Sequence, residues 1–495
     1  MKYHSLVRKG FFRKIAFGIG LNENIPSDPL NWAQSQFNEI PDIDLMGAPT
    51  LSEQIKLRSK MRETEDKLTV KFKHSAVEYE EARQKNWRKY GTDFYQSLEL
   101  HIRHKSAISS SQPAFERMFH FWTNHFAVID ANGLKEHTIG PYQREVIRKN
   151  LTGSFANLVK QATIGFAMLE SLDNGDSIGP NSSYVRKEKA GGYYKGDTAL
   201  NENHARELLE LHTISPDAGY TQEDVIELSK VMTGWKTKYY KNDYVDWKNP
   251  VIFDSYYHEP KEKKILGKIY NSKDAPINSK DQLFAVIDDL CAREDCRKFI
   301  STKLCKYFID DDPPSEIIEY VMNAWKKSDG DLPTIHKAVV EMAFRNPEYN
   351  KKYLMPETWW LQVTKMMDLN FLLSEESFWK HDFESWPRAQ FQITELMEDL
   401  GHHPFDFKQP NGYIDTEEEW ISPEMMIRRL VYAKHVYNYI KSENTKNDVF
   451  EGYLTSIIDK NFDNADEITK DLFNDNNIKS NQITTFLNRP EVLRV

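Results

Sequence analysis

Apolar positions recur three and four residues apart along most of this chain, the period of an α-helix with one buried face. Phe115, Met118, Phe119, Trp122 and Phe126 form one such seam, with His125 at its edge. The same spacing predicts helices over 94–107, 140–149, 154–172, 281–308, 315–327, 332–344, 355–367 and 387–400, and through most of 423–495. Residues 51–90 keep the helical spacing but carry many charges and few large apolar side chains, which predicts a solvated helical hairpin or arm. One stretch departs from the pattern: after Trp235, KTKYYKNDYVDWKNPVIFDSYYHEPKEKKILGKIY mixes Tyr, Val and Ile with turn residues and predicts a small β-hairpin insertion near 236–270. The expected fold is therefore mainly α, a multi-helix globular bundle carrying that hairpin. The composition shifts divide it into an N-terminal segment (1–50), a charged helical arm (51–107), a helical core (108–440) and a C-terminal helical tail (441–495). No solenoid repeat is present. The longest irregular stretch, Gly175 to Leu200, has the length of a functional loop and is expected to form a lid or rim.

That loop leads into the most chemically capable stretch, NENHARELLELHTISPDAGYTQEDVIELSKVMTGW from Asn201 to Trp235. It predicts two helices joined by a Pro-Asp-Ala-Gly turn. In the first, Asn203, Arg206, Glu207 and Glu210 share one face, and Ala205, Leu208, Leu211 and His212 share the other. Thr221 followed by Asp224 predicts a capping box that starts the second helix, and Gly234 its end.

The strings NENHARELLELHT, GYTQEDV and TGW resemble the central signature of the domain of unknown function 1800 family of bacterial proteins. Further resemblances lie in the Arg and Phe-Gly element of RKIAFGIG, the WxNHF pattern at Trp122–Phe126, the Leu-Asp-Asn element ending at Asp173 and Asn174, and His258, Glu259, Lys263, Leu266 and Gly267. The loop GHHPFDFKQPNGYIDTEEEWIS resembles the family's closing element. The resemblance spans roughly residues 8 to 440. Glu259 stands where the family has Asp, and Gly412-Tyr413 where it has Gly-Trp, so an aromatic platform survives without the indole donor. The resemblance supplies no reaction. Family members are commonly encoded beside proteins of the domain of unknown function 1501 family, which resemble sulfatases and phosphatases; the resemblance thus implies a partner of that kind.

Totals narrow the chemistry. A formal net charge of −10 argues against broad binding to nucleic acid, which needs clustered Lys and Arg. A mean hydropathy of −0.66 and the lack of any run approaching eighteen apolar residues predict no transmembrane helix, and the first twenty residues hold no apolar run of signal-peptide length. Cys291, Cys296 and Cys305 have no paired CxxC spacing and read as buried thiols. No GxSxG, GxGxxG, P-loop, HExxH or CxxCH motif occurs. No cofactor is assigned: His125, Asp173, Glu207, His258 and Glu259 are ligand types that suit zinc, manganese or calcium, but they are dispersed.

What remains is a carboxylate pair. Helix neighbours three apart have β-carbons about 5–6 Å from each other, so Glu207 and Glu210 can face one space. Two such carboxylates push each other's proton affinities apart, which prepares one proton donor and one acceptor. The expected catalytic set is Glu207, Glu210, His125 and Asp173, and the expected substrate contacts are Asn201, Asn203, Arg206, Trp235, His258, Lys263 and Tyr413. On this reading the protein is a hydrolase or lyase acting on a saccharide or similarly polar polymer, in a cleft. A metal-dependent hydrolase is an alternative, and so is a non-enzymatic binding or assembly protein in which the polar stripe locks helices together or docks a partner.

Overall fold

Short polar side chains start many of the helices, and Leu51–Lys71 is typical. Thr50 accepts the amide of Glu53 while Glu53 reaches back to the amide of Thr50, closing a capping box ahead of Leu51–Lys71. Ser154, Ser182 and Asp331 cap later helices by the same logic. The computed structural model describes residues 9–90, 92–129, 135–192, 200–237, 249–271, 276, 278–347, 352–370, 372, 374–379, 388–443, 447–473 and 479–495.

Helices carry the fold. Leu51–Lys71 and Ala76–Tyr90 form the charged hairpin, and Pro113–His125 places the Phe115–Phe126 seam in the main core. Asp281–Ala292, Glu294–Phe308, Ser315–Ser328 and Leu332–Arg345 bury Leu, Ile, Val and Phe at helical spacing. Each large apolar side chain removed from water contributes about 1.5–3 kcal/mol, so this continuous core dominates stability. The N-terminal helix Lys9–Ile15 packs against the C-terminal part: Arg13 donates to the carbonyls of Asn461 and Arg494, and Asn461 bonds both the amide and the carbonyl of Ile19.

The β segment and the stretch after Gly175 differ from the reading of the sequence. In place of one hairpin there are two short antiparallel ladders, Trp235–Thr237 with Val251–Phe253 and Lys263–Ile265 with Lys268–Tyr270. The second turns through Leu266 and Gly267, both at positive φ (49° and 82°), as a tight two-residue turn demands. Residues 238–248 of the anticipated insertion lie outside the described residues. Inside the stretch expected to be irregular, Ser183–Ala190 is helical, because Ser182 caps it and Val185 is buried; residues 193–199 of that stretch lie outside the described residues. The three cysteines are buried and free. Among the described residues no helix is long and apolar enough to cross a membrane.

A polar knot lies within the core. Glu357, in the first turn of Pro356–Met366, receives Arg103 bidentately (Nε–Oε1 2.7 Å, Nη2–Oε2 3.0 Å), with His104 Nε2 at 3.3 Å and His120 Nδ1 at 3.7 Å. Burial alone would raise the Glu357 carboxyl, but Arg103, His120 and His104 outweigh it and hold it well below the usual carboxylate range. Arg103 also donates to Thr123 and Gln143, so the knot fixes the helix that carries His125.

Candidate functional site

Asn201 anchors the motif. Its side-chain carbonyl accepts the amide of Asn203 at 2.8 Å, its amide group donates to the carbonyls of Leu172 (3.3 Å) and Asp173 (3.0 Å), and its backbone N–H donates to the Ser177 hydroxyl (3.1 Å). The motif helix is thereby tied to the turn at Asp173, an exposed residue at φ 53°. Asn203–Glu207 is α-helical and runs directly into a π-helical turn, Leu208–Thr213, in which the Ile214 amide reaches the carbonyl of Leu209. A π turn advances the register by one residue: Leu209 joins Ala205, Leu208 and His212 in the core, and Leu211 is left half-buried. The polar face lies outward, with Asn203 exposed and Arg206, Glu207 and Glu210 half-buried.

The two carboxylates on that face are held differently. Glu210 accepts the Tyr220 hydroxyl and lies 3.5 Å from Arg206 Nη1. Arg206 also donates to Gln222 Oε1 at 2.8 Å and stands 3.5 Å from Glu202. Tyr220 reaches Glu210 because the turn through Pro216–Ala218 and Gly219 folds the second helix, Gln222–Met232, back along the first. Glu207 receives no hydrogen bond and no ion pair from the described residues. Burial raises the Glu207 carboxyl, the charge of Glu210 raises it further, and Arg206 only partly opposes them. The Tyr220 phenol is pushed up to about 12, first by burial and then by Glu210. Asp173 is raised too, by burial and by Asp176.

Behind this stripe lie three buried histidines, His204, His212 and His125. His212 has no partner on either ring nitrogen, and burial pushes it down to about 3. His125 packs 6.2 Å from it, ring to ring, with Nε2 at 3.3 Å from the His212 carbonyl and Nδ1 at 3.1 Å from Lys303 Nζ. The closing loop clamps the residue before His125: Asn124 exchanges hydrogen bonds with both the amide (2.8 Å) and the carbonyl (2.9 Å) of Tyr413. Gly412 sits at φ 73°, where a Cβ would fall 2.3 Å from the Asn124 carbonyl, so no other residue fits. The Tyr413 hydroxyl bonds back to His403 and Asp406 of its own loop.

The remaining candidates form a separate buried group. Lys263 Nζ meets His258 Nε2 (3.1 Å), the Glu259 carbonyl (2.5 Å) and Gln282 Oε1 (2.8 Å), and burial pushes it down to about 8. Glu259 accepts the amide of Asn181 at 2.8 Å. The Trp235 ring is 5% exposed, between Phe253 and Phe284. Gly234, at φ 89°, lets the chain pass where a Cβ would meet the Asp254 carbonyl at 2.9 Å.

The structure thus joins Asn201, Asn203, Arg206, Glu207 and Glu210 to the Asp173 turn, sets His125 and Tyr413 behind them, buries His258 and Lys263 together, and places Trp235 in the main core, with its carbonyl bonded by Asn174. Among the described residues no group of three or more His, Cys, Asp or Glu could hold a metal ion. The sequence reading missed three participants: Tyr220, Lys303 and Asp415. Asp415 belongs to the closing loop, bonds Lys352 at 3.0 Å, and is pushed up to about 6 by burial. It stands beside an open cavity of about 400 Å³ lined by Asp310, Asp311, Glu417 and Arg494.

No curated protein and no solved structure shows a significant match to this chain. The profile of one family, described as Protein of unknown function (DUF1800), matches residues 20–493, nearly the whole chain, and the protein belongs to that family.

Proposed function

We propose that the Asn203–Glu210 stripe is the acid/base centre of a hydrolase or lyase acting on a polar polymer, with a saccharide as the first class to test. The observation that carries this is the asymmetry of the pair: Glu207 is unpaired and raised in proton affinity, while Glu210 is held by a phenol and a guanidinium. Glu207 is the proton donor, Glu210 the acceptor or anionic partner, and Arg206 the anchor for a substrate anion. Asp173 supplies a further carboxyl at the edge of the stripe. Trp235, being buried, takes no part as a stacking surface. The test is turnover of a panel of polysaccharides, phosphoesters and sulfoesters by the purified protein. Glu207→Gln should lower the rate by about 10²-fold or more, the scale of a lost general acid, with the fold intact. Absence of turnover across the panel, or an unchanged rate in the variant, overturns the reading.

A second reading is favoured by the use of Asn201 and Arg206 as internal ties. On that reading the stripe locks the motif helices for assembly with a sulfatase/phosphatase-like partner. Arg206→Ala would then unfold the protein; on the enzymatic reading it folds and loses ligand.

A further inference from the structure

The helix Pro423–Glu443 buries Arg429, Ala433, Val436 and Ile440, at helical spacing, and packs against Lys479–Leu487. On its opposite side, about 160° around the axis from Arg429, run Ile427 and Val431. With Glu424 and Lys434 they form a stripe spaced three, four and three residues apart, the spacing of a helix–helix seam. Ile427 is 61% exposed and Val431 49%, with Leu430 beside them at 41%. Just upstream Ile414 and Ile421 are exposed too, and Trp420 Nε1 donates to the Ile414 carbonyl at 2.8 Å. Five of the eleven large apolar side chains exposed among the described residues therefore fall within 414–431. Scattered singly, such side chains carry no meaning; gathered on one face of a helix, they mark a contact surface.

The polar ends of the stripe say what covers it. Glu424 closes one end and Lys434 the other, so the stripe is its own complement when run antiparallel. A two-fold axis level with Arg429 sets Ile427 against Val431 of the second copy and Glu424 against Lys434 of the second copy, over about 15 Å of helix. A parallel pairing would set acid on acid and base on base. Lys434 is exposed and makes no ion pair among the described residues. Glu424 reaches Arg428 of its own helix, and its side chain is still 72% exposed. Arg428 and Tyr432, on the flank, are engaged with Asp399 and leave the stripe clear.

We propose that this face is a self-association surface, on which two copies of the chain pack Pro423–Glu443 antiparallel. The apolar part is short, which places the interface among the small, reversible ones. None of these residues belongs to the Asn203–Glu210 stripe, so the test stands whether or not that stripe turns a substrate over.

The test is sedimentation of the full chain at rising concentration. Wild type should pass from monomer towards dimer between about 1 and 300 µM, the span of a weak interface. Ile427→Asp, which places a charge at the centre of the seam, should weaken association by at least about 10-fold. Glu424→Lys or Lys434→Glu alone sets like charges against each other at both ends and should weaken it by about 10-fold. An equimolar mixture of those two variants again opposes unlike charges at both ends and should recover the wild-type behaviour. A monomer throughout, which leaves the face to a different occupant, overturns the proposal. So does a dimer that Ile427→Asp leaves intact, or a mixture that associates no better than either variant alone.

Discussion

Replacing Glu357 by Gln keeps the shape of the side chain and removes one charge from an enclosed ion pair of the core. The Glu357 side chain is 3% exposed and that of Arg103 5% exposed, so neither can recover water when its partner is lost. The variant leaves a buried guanidinium facing an amide that must turn one N–H toward it. Removing one partner of a buried pair costs about 3–5 kcal/mol. With an unfolding entropy of about 2.1 cal/mol/K per residue, a chain of 495 residues converts that to a fall in Tm of about 3–5 °C. The pH dependence has a definite sign. The folded carboxyl lies below its ordinary value of 4.5, so its stabilisation is fully present above that value and is lost as pH falls through the folded one. Thermal and denaturant unfolding at pH 7 should therefore show the whole difference between wild type and variant, and the gap should narrow as pH drops well below 4.5. A loss under about 1 kcal/mol at pH 7, or full additivity with Arg103→Gln, would refute the argument that the pair is coupled and desolvated.

Two further substitutions probe how the motif is held. Asn201→Ala removes the acceptor for Asn203 and the donor to Leu172 and Asp173; with one of the three bonds half-buried and two exposed, it should cost about 1–2 kcal/mol in denaturant unfolding, and a neutral outcome would remove Asn201 as an anchor. Gly412→Ala puts a Cβ 2.3 Å from the Asn124 carbonyl at a positive φ, so the closing loop must move. The variant should lose more than the roughly 1–2 kcal/mol of left-handed strain alone, and wild-type stability would show that the clamp on Asn124 is dispensable.

The helical framework and the outward stripe were legible because both depend on local spacing. Thr221 and Asp224 do form the anticipated capping box, and Asn203, Arg206, Glu207 and Glu210 do share an outer face. The π turn was not legible, since LLELHT differs in no residue type from an ordinary helix; its effect is the exchange of Leu209 for Leu211 in the core. The two ladders were read as one hairpin because their pairing depends on which distant segments meet. Asp224 illustrates this: it caps its own helix and also accepts the amide of Leu266 at 2.6 Å, fixing the second turn. Lys303 carries no signal in STKLCK, because its contact with His125 joins positions 178 apart. Tyr220 could have been found, as the Pro216–Gly219 turn must return the chain beside Glu210.

The central claim is that Glu207 holds a proton more tightly than an ordinary carboxyl and does so partly because of Glu210. Titrating the Glu207 carboxyl by 13C NMR, with Glu207→Gln to assign the signal, measures this in the wild type and in Glu210→Gln. The account predicts a midpoint above 4.5 in the wild type that moves down once the Glu210 charge is gone. A midpoint at or below 4.5, unmoved by Glu210→Gln, would contradict it.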